Sequence, residues 1–208
     1  MLNDRGFDRW SEEYDEFVKK SSVEYPFDGY YEVLEFVYNK IQSKKKARIL
    51  DVGIGTGVLT HRLYKDGAVI YGVDFSREMI QISLEKMPSA IILQWDFNKG
   101  LPMELQKEKF DYIISTYAIH HLNDDKKIEF IVKLRDSLKE NGKLIIADIS
   151  FETVEKRNEC KSKYADKWDT DEFYMAAVEI LAKLKAIGVD AEYTQISACA
   201  GVLELLKS

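Results

Sequence analysis

Three glycines, three aspartates and a histidine pair carry the chemistry this sequence can offer. The glycines are Gly53, Gly55 and Gly57, within the run RILDVGIGTGVL from Arg48 to Leu59. Glycine accepts positive φ and lets backbone approach a ligand more closely than a side chain would allow. Asp51 precedes the triplet, Asp74 follows Gly57 by seventeen residues, and Asp96 is followed by Phe97. An acid in the place of Asp74 accepts hydrogen bonds from two ribose hydroxyls. Asp96 can accept from the exocyclic amine of a base while Phe97 packs on its ring. The plainer readings are a helix cap or turn acid for Asp74, a chain-turning Asp96 and a core Phe97. His120–His121 offers a general base, although one member of such a pair commonly faces the core or caps a helix.

The glycine spacing bears on the ligand. Dinucleotide loops favour G-x-G-x-x-G, and the place of their third glycine is held by Val58. There is no G-x-x-x-x-G-K-[ST] loop for a nucleoside triphosphate. A nucleoside without phosphates fits this loop better. No histidine pair has metal-ligand spacing on a helix, and no metal is expected.

These residues need elements to place them. Ile49–Val52 reads as a buried strand and residues 58–65 as a helix. Val69–Val73 is a second strand ending at Asp74, and Ser76 caps a helix running to Lys86. Ala90–Trp95 is a third strand ending at Asp96, and Phe110–Ser115 a fourth. Asp124 or Asp125 caps a helix reaching Leu138, closed by a left-handed turn at Asn141–Gly142. Lys143–Ile149 is a fifth strand. Apolar strands alternating with helices predict a parallel sheet covered on both faces. In such a sheet ligands bind beyond the carboxyl ends of the strands, where the glycine loop, Asp74, Asp96 and the Ser115–His121 stretch all fall.

Two amphipathic helices precede the first strand. One carries Phe7, Trp10, Tyr14, Phe17 and Val18; the other, from about Gly29 to Ile41, carries Tyr30, Val33, Leu34, Val37 and Ile41. Both read as a cover for the sheet edge; on a functional reading the first is a flap over a cleft, and residues 7–30 with 152–172 form a lid. Residues 152–170 are charged and lack an apolar stripe, consistent with a mobile helix or loop. Phe173–Ile187 reads as a helix, and Ala191–Ser197 with Val202–Leu206 as an antiparallel hairpin.

A chain of 208 residues fits one domain. We divide it into an N-terminal helical cap (1–46), a cofactor-binding core (47–150), and late helices with a terminal hairpin (151–208). The net charge of −6 argues against a nucleic-acid partner. Two cysteines, Cys160 and Cys199, make no disulfide framework and point to a reducing, cytoplasmic setting. No segment is long and apolar enough to suggest a membrane partner.

The motifs resemble those of class I S-adenosylmethionine-dependent methyltransferases. Residues 49–57 look like that family's first motif, and Tyr71–Ser76 like its second. Phe110–Ser115 with Ala118–Leu122 is similar to its fourth-strand signature. Leu138–Leu144 is like its turn before strand five, with Asn141 and Lys143 in place of the usual Pro and second Gly. The early aromatic helix and late hairpin further resemble small bacterial members of uncertain substrate. The resemblance implies a seven-stranded, mostly parallel Rossmann-like α/β sheet with a C-terminal antiparallel hairpin. It implies an enzyme that uses S-adenosyl-L-methionine as cofactor. Asp51, Gly53, Gly55 and Gly57 then surround its methionine end, Asp74 and Phe75 its ribose, and Asp96 and Phe97 its adenine. Ser115 and Tyr117 approach the methionine amine or sulfonium, and Tyr14 closes over the cofactor. His120 and His121 are the candidates for catalysis. The expected acceptor is a small molecule, and the expected assembly a monomer or homodimer. A non-catalytic cofactor-binding module and a nicotinamide-dependent oxidoreductase remain the alternatives.

Overall fold

The computed structural model describes residues 24–42 and 45–207. A helix, α1 (Tyr30–Lys40), leads into β1 (Arg48–Val52), α2 (Val58–Lys65), β2 (Val69–Asp74), α3 (Arg77–Lys86) and β3 (Ile91–Gln94). Then come α4 (Met103–Gln106), β4 (Phe110–Thr116), α5 (Asp124–Asp136) and β5 (Leu138–Phe151). The chain ends with α6 (Val154–Lys163), β6 (Met175–Ala176), α7 (Ala177–Ala186), β7 (Glu192–Gln195) and β8 (Ala200–Leu206).

The strand order is β3-β2-β1-β4-β5-β8-β7, with β6 paired to β5 off this path. Strands β1 to β5 run parallel; β8 is antiparallel to β5 and to β7. The order reverses between β1 and β4, opening the crevice at the switch point where such sheets bind ligands.

Strand side chains alternate between two cores. Leu50, Val52, Ile113, Leu144 and Ile146 face α5 and α7, meeting Phe130, Ile131, Leu134, Ile180 and Leu184. Ile49, Ile70, Ile114 and Ile145 face α1 and α2, meeting Val33, Leu34, Val37, Leu59 and Leu63. Each such fully buried aliphatic side chain contributes about 1.5–3 kcal/mol. Because both faces of the central strands are covered, they read as largely apolar stretches rather than as strict alternation.

Several boundaries differ from the sequence reading. Asn123, not Asp124 or Asp125, caps α5, its side-chain oxygen accepting from the Lys126 amide. Asn141 is left-handed at φ 61°, but it lies inside β5, where the pairing with β4 shifts register, rather than closing α5. Phe173 is extended, not helical: its amide donates to the carbonyl of His120 at 2.8 Å, and the next residues form β6 before α7 begins. Residues 154–163 form a helix with no buried side chain. Ser76 caps α3 as expected, accepting from the Met79 amide.

Candidate active site

The glycine loop is bound back onto the protein. The amides of Gly53 and Ile54 donate to the carbonyl of Val73 at 2.8 and 3.1 Å, and that of Gly57 to the carbonyl of Ile54. The Gly55 amide donates to Oδ2 of Asp74 at 2.8 Å. Ser83 Oγ and Lys86 Nζ donate to the carbonyls of Gly55 and Thr56. The amides of Gly53, Ile54, Gly55 and Gly57 are therefore not available to cradle a phosphate, and the rim offers close approach and shape instead. Gly53 is held at φ +75°, and a Cβ there would sit 2.4 Å from that of Ala118. Gly55 is at φ +53° with open space where its Cβ would be.

Beneath the loop lie two buried aspartates. Asp51 is 2% exposed and accepts from the Thr60 hydroxyl through Oδ2. Its Oδ1 is buried and meets no donor among the described residues. Burial pushes its pKa up to about 7, against the Thr60 hydrogen bond and with help from the charge of Asp74. Asp74 also accepts from the Ser76 amide through Oδ1, so its carboxylate fixes both the loop and the start of α3.

One cavity gathers Asp51, Gly53, Gly55, Gly57, Asp74, Phe75, Phe97, Tyr117 and His121. Tyr30, Ile54 and Met79 complete its apolar walls. Tyr117 follows β4 at φ 52° and packs its ring on Tyr30 at 4.9 Å. Asp96 and Ser115 are not among the lining residues. Asp96 accepts from the Asn98 amide and side chain at 2.9 Å, and buried Ser115 donates to the Val52 carbonyl at 2.8 Å. Tyr14 lies outside the described residues.

The histidine pair divides. His121 lines the cavity, and burial together with neighbouring His120 pushes its pKa down to about 4. His120 is buried, with Nδ1 2.7 Å from Oδ1 of Asp148 and its amide donating to Oδ2. Burial disfavours its charged form, but Asp148 and then Glu172 hold its pKa above the ordinary value. Asp148 is buried too; its charge is held by His120 and the Ile149 amide, which keep its pKa low. Thr60, Asp148 and Glu172 were missed from sequence. Asp148 did leave a signal: it is the lone acid in the apolar run from Leu144 to Ile149.

A model of a methyltransferase domain family matches residues 43–201. An uncharacterized methyltransferase of Alkaliphilus oremlandii is 35% identical over 159 residues, covering 76% of this chain and 72% of that protein. An uncharacterized methyltransferase of Bacillus thuringiensis is 40% identical over 148 residues, covering 70% of this chain and 66% of its own length. About a third of the Bacillus protein thus lies outside the match. In fold, the chain is similar to a crystal structure of magnesium protoporphyrin IX methyltransferase from Synechocystis PCC 6803 with bound SAH. There the TM-score is 0.75 at 20% identity, covering 100% of this chain and 96% of that one.

Proposed function

The chain belongs to the S-adenosylmethionine-dependent methyltransferases, and from that membership we propose that it methylates a small-molecule acceptor at the cavity beneath the glycine loop. Membership sets aside the nicotinamide alternative. The observation that carries the site assignment is that Asp51 lines the cavity while its buried Oδ1 meets no donor among the described residues. A buried carboxylate oxygen without a donor is costly, and the cofactor's ammonium group would satisfy it. The open space at Gly55 and the apolar walls of Phe75, Met79 and Phe97 suit a nucleoside.

When bound, S-adenosylmethionine supplies a methyl group already activated on a sulfonium. The protein's task is then to hold the partners and exclude water. Asp51 pairs with the ammonium. Asp74, held by the amides of Gly55 and Ser76, would accept from the ribose hydroxyls. Phe97 would flank the adenine, and Asp96, bonded to Asn98 outside the cavity lining, would have to turn to reach its amine. Tyr117 would orient the sulfonium end, Ser115 fixes the end of β4 on which Tyr117 rides, and Tyr14, outside the described residues, is kept as the proposed cover. His121 faces the acceptor and His120 positions it; a nucleophile that arrives protonated must lose its proton there.

A small acceptor is supported by the net charge of −6 and by a polar cleft of about 540 Å³ beside the histidines, lined by Arg157, Lys161, Trp168 and Glu172. That volume is in the usual range for small-molecule sites. We place the activity in the cytoplasm, in keeping with two unpaired cysteines. Among the described residues no helix is long and apolar enough to cross a membrane. Incubation with methyl-labelled S-adenosylmethionine and a metabolite extract, read by mass spectrometry, should give a labelled small molecule. Label appearing only in protein or nucleic acid would overturn the acceptor class.

A further inference from the structure

His120 and His121 sit on the turn after β4, and Glu172 lies on the loop before β6. One ligating atom from each lies within 4.8 Å of the other two. The sequence could not announce this, since the carboxylate comes from 51 residues away in the chain.

The contacts around the trio orient it. A histidine that donates Nδ1–H to a carboxylate, as His120 does to Asp148 at 2.7 Å, presents its Nε2 lone pair on the opposite side. That Nε2 faces Oε1 of Glu172 at 3.5 Å. A lone pair and a carboxylate oxygen repel unless a proton or a cation lies between them. Glu172 is oriented in turn, since its Oε2 accepts from the Tyr174 hydroxyl at 2.5 Å. Two of the three ligating side chains thus have fixed outer partners, the arrangement that surrounds metal-bound histidines and carboxylates.

We propose that His120, His121 and Glu172 hold one divalent first-row cation of the zinc type, with an open position toward the cofactor cavity. Two imidazoles and a carboxylate are a known donor set for such ions, and three protein ligands leave a fourth place for water or substrate. His121 lines the cofactor cavity and Glu172 lines the outer cleft, so the trio stands between the two. An acceptor hydroxyl or thiol at the open position gives up its proton to solvent more readily than it would free in water. This use of the site rests on the methyltransferase reading; the cation site does not.

The test uses the tag-free full chain, stripped with chelator and titrated with Co²⁺ while visible absorption is followed. One Co²⁺ per chain should give ligand-field bands that Zn²⁺ abolishes. Glu172→Gln should weaken Co²⁺ binding at least tenfold, and Asp148→Asn about 10- to 100-fold as an outer-partner change. Calorimetry with S-adenosylhomocysteine should find the same affinity in Glu172→Gln as in the parent, showing an intact fold. Absence of the bands, or equal Co²⁺ affinity in parent and Glu172→Gln, would overturn the proposal in favour of a protonated His120 between two carboxylates. Co²⁺ binding by a chain that does not bind S-adenosylhomocysteine would leave the cation site standing and remove the methyltransferase reading.

Discussion

The Thr60 hydroxyl donates to Oδ2 of Asp51, across the turn from β1 to α2, and fixes the carboxylate with Oδ1 unpaired. Burial raises the Asp51 pKa from 3.8 to about 7. Between those values the folded chain holds a proton that the unfolded chain has lost. Stability without cofactor therefore falls, through this group, as pH rises from about 4 to about 7, and no further above it. Asp51→Asn keeps an acceptor for Thr60 and removes the charge. Without cofactor this variant should melt above the parent at pH 8, and the difference should shrink toward pH 5. Its affinity for S-adenosylhomocysteine should drop about tenfold or more at pH 8, for loss of a charged hydrogen bond. Scanning fluorimetry and calorimetry at the two pH values check both signs. A variant no more stable than the parent at pH 8 would contradict the strained carboxylate.

Asp74 offers a different test, because its carboxylate already serves the protein through Gly55 and Ser76. Asp74→Ala removes an acceptor worth roughly 1.5–3 kcal/mol to a bound ribose. Cofactor affinity should fall about 10- to 150-fold. The melting temperature should fall too, since the amides of Gly55 and Ser76 lose their partner. Unchanged S-adenosylmethionine binding in calorimetry would sink the ribose assignment.

Gly53 and Gly55 should separate folding from binding. A methyl at Gly53 meets Ala118 at 2.4 Å in a left-handed backbone, so Gly53→Ala must displace the turn after β4 and lower the melting temperature markedly. Gly55→Ala meets nothing within 4 Å, and only its left-handed backbone costs stability, about 1–2 kcal/mol. Its methyl instead enters the cavity, so S-adenosylhomocysteine affinity should fall far more than stability. Equal binding by Gly55→Ala and parent would move the ligand away from the loop.

The contrast between legible and illegible parts has physical causes. Strands β1, β2 and β4 were readable because both faces are buried, leaving largely apolar stretches such as Ile49–Val52, interrupted only by Asp51 and followed by Gly53. The cavity's glycines and Asp74 were readable because strand ends in a parallel sheet fix where such residues go. Helix α6 was not, since it buries nothing and takes its start from the Thr153 cap and a Glu152–Lys156 pair. Phe173 was misread because its helical spacing is overridden by one long-range bond to His120. Glu172 and Asp148 reach the histidines only through the chain's path in space, and no local period records that.

Of the expected lid, residues 24–30 and 152–172 are described, and the construction of 152–172 makes it testable. Helix α6 buries no side chain, so few contacts resist its local opening. Its far end is anchored: Tyr25 stacks between Tyr164 at 5.0 Å and Trp168 at 5.8 Å, and Lys167 pairs with Glu24 at 2.8 Å. Closure over the cofactor would tighten this aromatic stack and slow exchange throughout the segment. Amides of 152–172 should therefore exchange faster than those of β4 and β5 in the free protein, and slow when S-adenosylhomocysteine is added. Trp168→Ala removes the ring that touches Tyr25, Tyr174 and Phe151, and should abolish most of that slowing. Equal exchange of 152–172 with and without S-adenosylhomocysteine would mean that this segment is a fixed wall of the outer cleft and takes no part in closing the site.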